Sequence, residues 1–253
     1  MSDARRPLIV GNWKMHKTIA QTRAFIAALR ALPLALDQVD AVVCPPFTAL
    51  AAAHEELAGT AIGLGAQNMN WAQSGAYTGE ISPLMLTEIG VGWVVLGHSE
   101  RRALFGELDE RVNEKVRAAL AHGITPIVAC GETAEEHNAG FARDKVETQA
   151  RAAFDGLKPG DVARCVVAYE PIWAIGSGTP DSPESANAIM GAIRSAVPGL
   201  GEVRILYGGS LRPDNVGAFA AQPEIDGGLV GGASLDPASF AALIEGARRG
   251  VEA

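Results

Sequence analysis

Cys165-Val166-Val167-Ala168-Tyr169-Glu170-Pro171-Ile172-Trp173-Ala174-Ile175-Gly176-Ser177-Gly178 contains the unit from which the whole chain is built. An apolar, β-branched run ends on a polar residue and passes into a loop. Comparable runs stand at residues 8–12, 41–44, 61–66, 93–96, 125–130, 203–208 and 229–230, with 165–170 the sixth in order. Their centres lie about 20–40 residues apart, the spacing of parallel strands that are each followed by a crossover helix. The runs are apolar throughout instead of alternating, as strands covered on both faces are.

The segments between the runs carry helix punctuation. Thr18 precedes Gln21 by three residues, a capping box, and Phe25, Ile26 and Leu29 then share one helical face. Asp181-Ser182-Pro183-Glu184 offers a cap followed by a proline in the first turn, and Pro198-Gly199 closes that helix. Asp236-Pro237 repeats the arrangement near the end. No linker-like stretch or close repeat interrupts the series. Eight strand–helix units in one chain imply an α/β fold, a closed eight-stranded parallel (β/α)8 barrel forming one domain over residues 1–253, with a doubly wound open sheet as the rival. In either fold, ligands sit beyond the carboxyl ends of the strands.

Composition narrows the function classes. Hydrophobic residues make up 48% and charged residues 20% of the 253, as in a soluble enzyme. The three cysteines, Cys44, Cys130 and Cys165, form no Cys-x-x-Cys pair, which fits a reducing cytoplasm. The apolar stretch after residues 1–7 is too short for a secretory signal, and no run is long enough to span a membrane. A net charge of −8 leaves no basic footprint for nucleic acid. It also gives no long-range attraction to an anionic substrate, so a phosphate would have to be held by local groups.

The residues just after the strands are therefore the candidates. The first run ends in Gly11-Asn12-Trp13-Lys14, where an Asn and a Lys can orient an anion or polarise a carbonyl. In isolation Lys14 reads as a solvated surface lysine. The fourth ends in Gly97-His98-Ser99-Glu100-Arg101-Arg102. A histidine at a helix start is kept neutral by the macrodipole, or else is simply satisfied by a structural partner. Cys130, after the fifth run, reads as small packing volume and not as a nucleophile. Glu170 closes the sixth and is restrained by Pro171. The loop after it carries Ile172, Trp173, Ala174 and Ile175, which suits either a lid that closes over a site or a rigid loop packed on a neighbour. A lid that excludes water would raise the basicity of Glu170.

Two glycine-rich turns follow the last two runs: Tyr207-Gly208-Gly209-Ser210 and Gly231-Gly232-Ala233-Ser234. Glycines let the backbone approach a ligand, and barrels often hold phosphate at these two loops. Other signatures fail. Gly176-Ser177-Gly178 lacks the third glycine of a dinucleotide fingerprint, and no Gly-Lys pair supports a P-loop. His16, His54, His98, His122 and His137 show no metal-ligand spacing.

Taken in order, Gly11-Asn12-Trp13-Lys14-Met15, Gly97-His98-Ser99-Glu100-Arg101-Arg102, the 170–178 loop, Tyr207-Gly208-Gly209-Ser210 and Leu229-Val230-Gly231-Gly232-Ala233-Ser234 resemble the triosephosphate isomerase family. Ala66-Gln67-Asn68 and Tyr77-Thr78-Gly79-Glu80 are also similar, and the likeness covers nearly the whole chain. The resemblance implies a TIM barrel that interconverts glyceraldehyde 3-phosphate and dihydroxyacetone phosphate through an enediol(ate), in glycolysis and gluconeogenesis. The family's acid–base chemistry and loop closure are established examples of pKa tuning and gating.

By the same resemblance Glu170 is the base, His98 the neutral electrophile, Lys14 the charge stabiliser and Asn12 an orienting residue. The amides of Gly176, Ser210, Gly231 and Gly232 hold the phosphate. Glu100 supports Lys14, Cys130 packs behind the site, and Thr78, Gly79 and Glu80 belong to a loop that inserts into a partner chain of a homodimer. No cofactor or metal is implied. His16, Ser177 and Thr179 depart from the usual Asn, Thr and Lys, which bears on the stiffness of the loop. Two other readings stay open at this level: a sugar-phosphate aldolase with Lys14 as a Schiff-base nucleophile, and a non-catalytic phosphate-binding barrel.

Overall fold

The computed structural model describes residues 5–252; residues 1–4 and 253, the ends of the expected 1–253 unit, lie outside the described residues. Its eight strands are β1 (Leu8–Asn12), β2 (Asp40–Cys44), β3 (Gly63–Ala66), β4 (Trp93–Leu96), β5 (Thr125–Cys130), β6 (Val166–Tyr169), β7 (Arg204–Tyr207) and β8 (Gly227–Val230). Each pairs in parallel with the next, and β8 returns to β1 with Leu8 opposite Gly227 and Gly11 opposite Val230. The sheet is closed, which rules out the open doubly wound alternative.

The unbroken apolar runs split into two packed layers because strand side chains alternate. Leu8, Val10, Val42, Val95, Ile127, Val166, Leu206 and Leu229 fill the barrel interior. Ile9, Val43, Val94, Val128, Val167 and Ile205 point outward into the shell of helices. Both faces are dry along the middle of each strand, so the runs there are apolar without alternation. None of the described helices is long and apolar enough to cross a membrane.

Most expected boundaries are met to within two residues. The third strand begins at Gly63 and not at 61, because the Thr60 hydroxyl accepts from Ile62 N–H and holds a turn there. The eighth starts two residues early, at Gly227. A Cβ on Gly227 would lie 2.0 Å from the Leu8 carbonyl oxygen, and one on Gly228 would lie 2.3 Å from Leu211. The strand that closes the barrel is thus the one whose side chains had to be removed, which erases its β-branched signature. The Thr18–Gln21 capping box forms and starts helix Ile19–Arg30, burying Phe25, Ile26 and Leu29. Helix Pro183–Ala196 takes Ser182 as its cap and Pro183 as its first residue, one to two residues later than a start at Asp181.

The amino-terminal rim of the barrel is tied by ions. Asp226, ahead of β8, accepts from Arg5 Nε at 2.7 Å, Arg194 Nη2 at 2.8 Å and Ile205 N–H at 2.8 Å. Asp40 at the head of β2 bridges Arg6 and Arg204.

Candidate active site

The opposite rim, at the carboxyl ends of the strands, opens into a cleft of about 470 Å³. Asn12, Lys14, His98, Glu170, Gly176, Ser210, Gly231 and Gly232 all line it, together with His16 and Arg212.

Glu170 follows β6 and is buried, its backbone N–H donating to the Cys130 carbonyl at 2.8 Å. Two glycines make room for it. A Cβ on Gly131 would lie 1.8 Å from the Glu170 carbonyl oxygen, and one on Gly208 would lie 2.9 Å from Glu170 Cγ. Both carboxylate oxygens are engaged: Oε2 accepts from Ser99 N–H at 2.8 Å, and Oε1 lies 3.0 Å from His98 Nε2.

His98 is the cap residue of helix Ser99–Phe105. Its Nδ1 accepts from Glu100 N–H at 3.1 Å, so the ring proton sits on Nε2, the nitrogen that faces Glu170. The backbone thereby fixes the tautomer.

Lys14 takes a left-handed backbone conformation, φ +51°, with its N–H donating to Asn12 Oδ1 at 3.2 Å. Gln67 Nε2 donates to the Lys14 carbonyl, and Lys14 Nζ pairs with Glu100 Oε1 at 2.6 Å. Lys14 and Glu170 therefore meet at one cleft from opposite sides of the barrel.

The loop after Glu170 is anchored at both ends. Trp173 Nε1–H donates to Glu132 Oε1 at 2.7 Å, and the Tyr169 hydroxyl reaches the same oxygen at 3.0 Å. The Ser210 hydroxyl donates to the Ala174 carbonyl at 2.7 Å, and Arg212 Nη1 to the Gly178 carbonyl at 3.1 Å. Ser177 Oγ bonds locally to the carbonyls of Ala174 and Thr179. At the far end Asp181 N–H donates to the Tyr207 hydroxyl at 2.9 Å. Burial pushes the Glu132 carboxyl above the usual carboxylate range against the pull of Trp173 and Tyr169. It pushes the Cys130 thiol up to about 12, so Cys130 is a buried neutral packing group.

Thr78, Gly79 and Glu80 lie outside this cleft on the exposed loop that precedes helix Pro83–Glu88. A second depression of about 220 Å³ shares Asn12, Lys14 and His98 with the cleft and is rimmed by Met15, Phe47 and Phe105, all exposed.

Gly131, Glu132 and Arg212 belong to the site although no sequence motif marks them as such. Gly131-Glu132 does follow the fifth strand, which was the one available signal.

The triosephosphate isomerase family matches residues 7–247 of the chain. The triosephosphate isomerase of Symbiobacterium thermophilum is 52% identical over 245 residues, covering 94% of this chain and 96% of its own length. That of Chloroflexus aurantiacus is 50% identical over 246 residues, 95% and 98% of the two chains. That of Caldanaerobacter subterraneus subsp. tengcongensis is 49% identical over 247 residues, 95% and 99%.

Proposed function

Because the chain belongs to the triosephosphate isomerase family, we propose that its cleft interconverts dihydroxyacetone phosphate and glyceraldehyde 3-phosphate, with Glu170 as the base. The observation that carries the reading is the meeting of Glu170, His98 with its proton on Nε2, and Lys14 at one cleft walled by glycine turns.

Glu170 takes a proton from the carbon beside the substrate carbonyl. The released electron pair passes to the carbonyl oxygen and gives an enediolate. His98 Nε2–H donates to that oxygen, and Lys14 offsets its charge. His98 gives its Nε2 proton to that oxygen and takes the proton of the neighbouring hydroxyl, whose oxygen becomes the new carbonyl as Glu170 returns the carbon-bound proton to the former carbonyl carbon. Protons move within one molecule, so the step balances without an oxidant or reductant.

The carboxylate rests on Ser99 and His98 and must turn into the cleft to act, which closure of the 171–178 loop would drive by excluding water. Amides at Gly176, Ser210, Gly231 and Gly232 bind the phosphate. Oriented N–H groups can hold a dianion on a chain with net charge −8. Asn12 orients the substrate and, through its side chain, the Lys14 backbone. The Glu100 partner of Lys14 speaks against a Schiff-base role for that lysine.

We further propose one barrel domain over residues 1–253, a cytoplasmic location, and a homodimer in which Thr78, Gly79 and Glu80 of each chain enter the partner's apolar-rimmed depression beside Asn12 and Lys14. Sedimentation across concentration tests the last point: a stable, active monomer is the outcome that refutes it. For the reaction, a coupled assay on glyceraldehyde 3-phosphate should show turnover by the wild type. The Glu170→Gln variant should lose about three powers of ten or more while keeping its fold. Near-normal turnover by that variant would sink the assignment.

A further inference from the structure

Among the described residues, five buried side-chain polar atoms have no hydrogen-bond partner, and three of them belong to residues beside the loop after Glu170: Glu132 Oε2, His137 Nδ1 and Asp181 Oδ2. These residues touch both ends of that loop. Glu132 holds Trp173 near its start, and Asp181 follows its end, with its backbone N–H on the Tyr207 hydroxyl.

His137, on the short helix Ala134–Asn138, joins the two. Its ring centroid lies 4.4 Å from that of Trp173 at a tilt of 39°, and its Nδ1 lies 3.5 Å from Glu132 Oε1. A positive charge on it would favour the ionised form of both carboxyls, and it is the only ion-pair partner of Glu132 among the described residues.

A buried carboxylate with an unmatched oxygen is poorly balanced unless a cation is near. Burial raises both the Glu132 and the Asp181 carboxyls, as that imbalance requires. The other groups around the ring do not supply the cation. The Tyr169 hydroxyl is neutral, and the cation Lys145 is committed to Glu136, on the helix of His137, at 2.9 Å. An imidazolium at His137 would stand against the indole of Trp173, where a cation is favoured, with its Nδ1 3.5 Å from Glu132 Oε1.

We propose that His137 is a positioning residue for the lid: protonated, it draws Glu132 and Trp173 together and steadies both ends of residues 171–178, and neutral, it releases them. Opening is then easier as pH rises through the range in which histidine side chains lose their charge. The inference rests on reading residues 171–178 as a lid over the substrate.

The test follows the indole N–H resonance of Trp173, assigned with Trp173→Phe, across pH about 5 to 8.5 without substrate. In the wild type it should move together with the His137 ring resonances. In His137→Gln it should stay near its alkaline position, and in His137→Arg, a permanent cation, near its acidic one. The rate of lid opening, from relaxation dispersion, should be about fivefold slower in the acidic limit of the wild type and independent of pH in both variants.

A Trp173 resonance that does not titrate in the wild type, or that titrates unchanged in His137→Gln, overturns the proposal. Should His137→Gln fail to fold, the joint titration of the wild-type imidazole and indole resonances decides alone. These measurements use no substrate, so a failed isomerase reading would show in the coupled assay and leave them intact.

Discussion

The two rims of the barrel use charge in opposite ways. At the amino-terminal rim Asp226 receives two guanidinium groups and a backbone amide, and it is almost wholly buried. Every partner is itself tied down: Arg194 also binds Glu224 and the carbonyls of Leu200 and Val203. At the carboxyl-terminal rim the buried acid that lines the cleft is Glu170, and its partners are one imidazole and one amide. The lower rim holds charge that has nowhere to go. The upper rim holds a carboxylate with only two partners, at the wall of an open cleft. Barrels divide stability and chemistry between their faces in this way.

That contrast can be broken at either rim. The largest effect belongs to Glu170→Gln, described above: turnover collapses while the melting temperature shifts by no more than a surface change would. Asp226→Asn should do the reverse. It leaves Arg5 and Arg194 without their shared anion and should cost about 3 kcal/mol in denaturant unfolding, with kcat per folded molecule nearly unchanged. Equal losses of activity and stability in both variants would erase the division.

Gly131→Ala tests whether backbone placement alone controls the upper rim. Its Cβ would collide with the Glu170 carbonyl, and a displacement near 1 Å should cut kcat by about a hundredfold. The smallest effect concerns Glu132. Its carboxyl titrates higher in the folded state, so ionisation costs stability as pH rises from the unfolded value through the folded one. The melting temperature of Glu132→Gln relative to wild type should therefore be more favourable at pH 8 than at pH 4, on the order of a few degrees. A difference that does not vary with pH would mean Glu132 is not held by burial.

What was legible in the sequence followed from local rules. Capping at Thr18, the proline after Ser182 and the apolar runs of β1, β4 and β5 depend on neighbours a few residues away. The glycine turns and the strand-end polar residues were legible as candidates because topology alone assigns strand ends to one rim. Their grouping into a reaction required the family resemblance.

What was hidden depends on distant partners. The Arg5–Asp226 contact joins residues 221 apart, and no local pattern announces it. Glu132 reads as an ordinary loop acid until Tyr169 and Trp173 are folded over it. Gly131 looks like any turn glycine until the Glu170 carbonyl is set against it. The start of β8 is hidden for a related reason, since glycines there are chosen for the room they leave and not for any strand preference.

Lys14 shows how one residue can serve two conflicting demands. Its left-handed backbone, φ +51°, is a conformation that glycine adopts freely and lysine resists. Selection for a relaxed chain would put glycine there, whereas selection for a cation beside the cleft keeps lysine. Asn12 and Gln67, which hold its amide and its carbonyl, are the means by which the fold tolerates the choice. A search for more stable variants of this protein that scored only the folded energy would be drawn to position 14, and would return a sturdier barrel with no cation at that edge of the cleft.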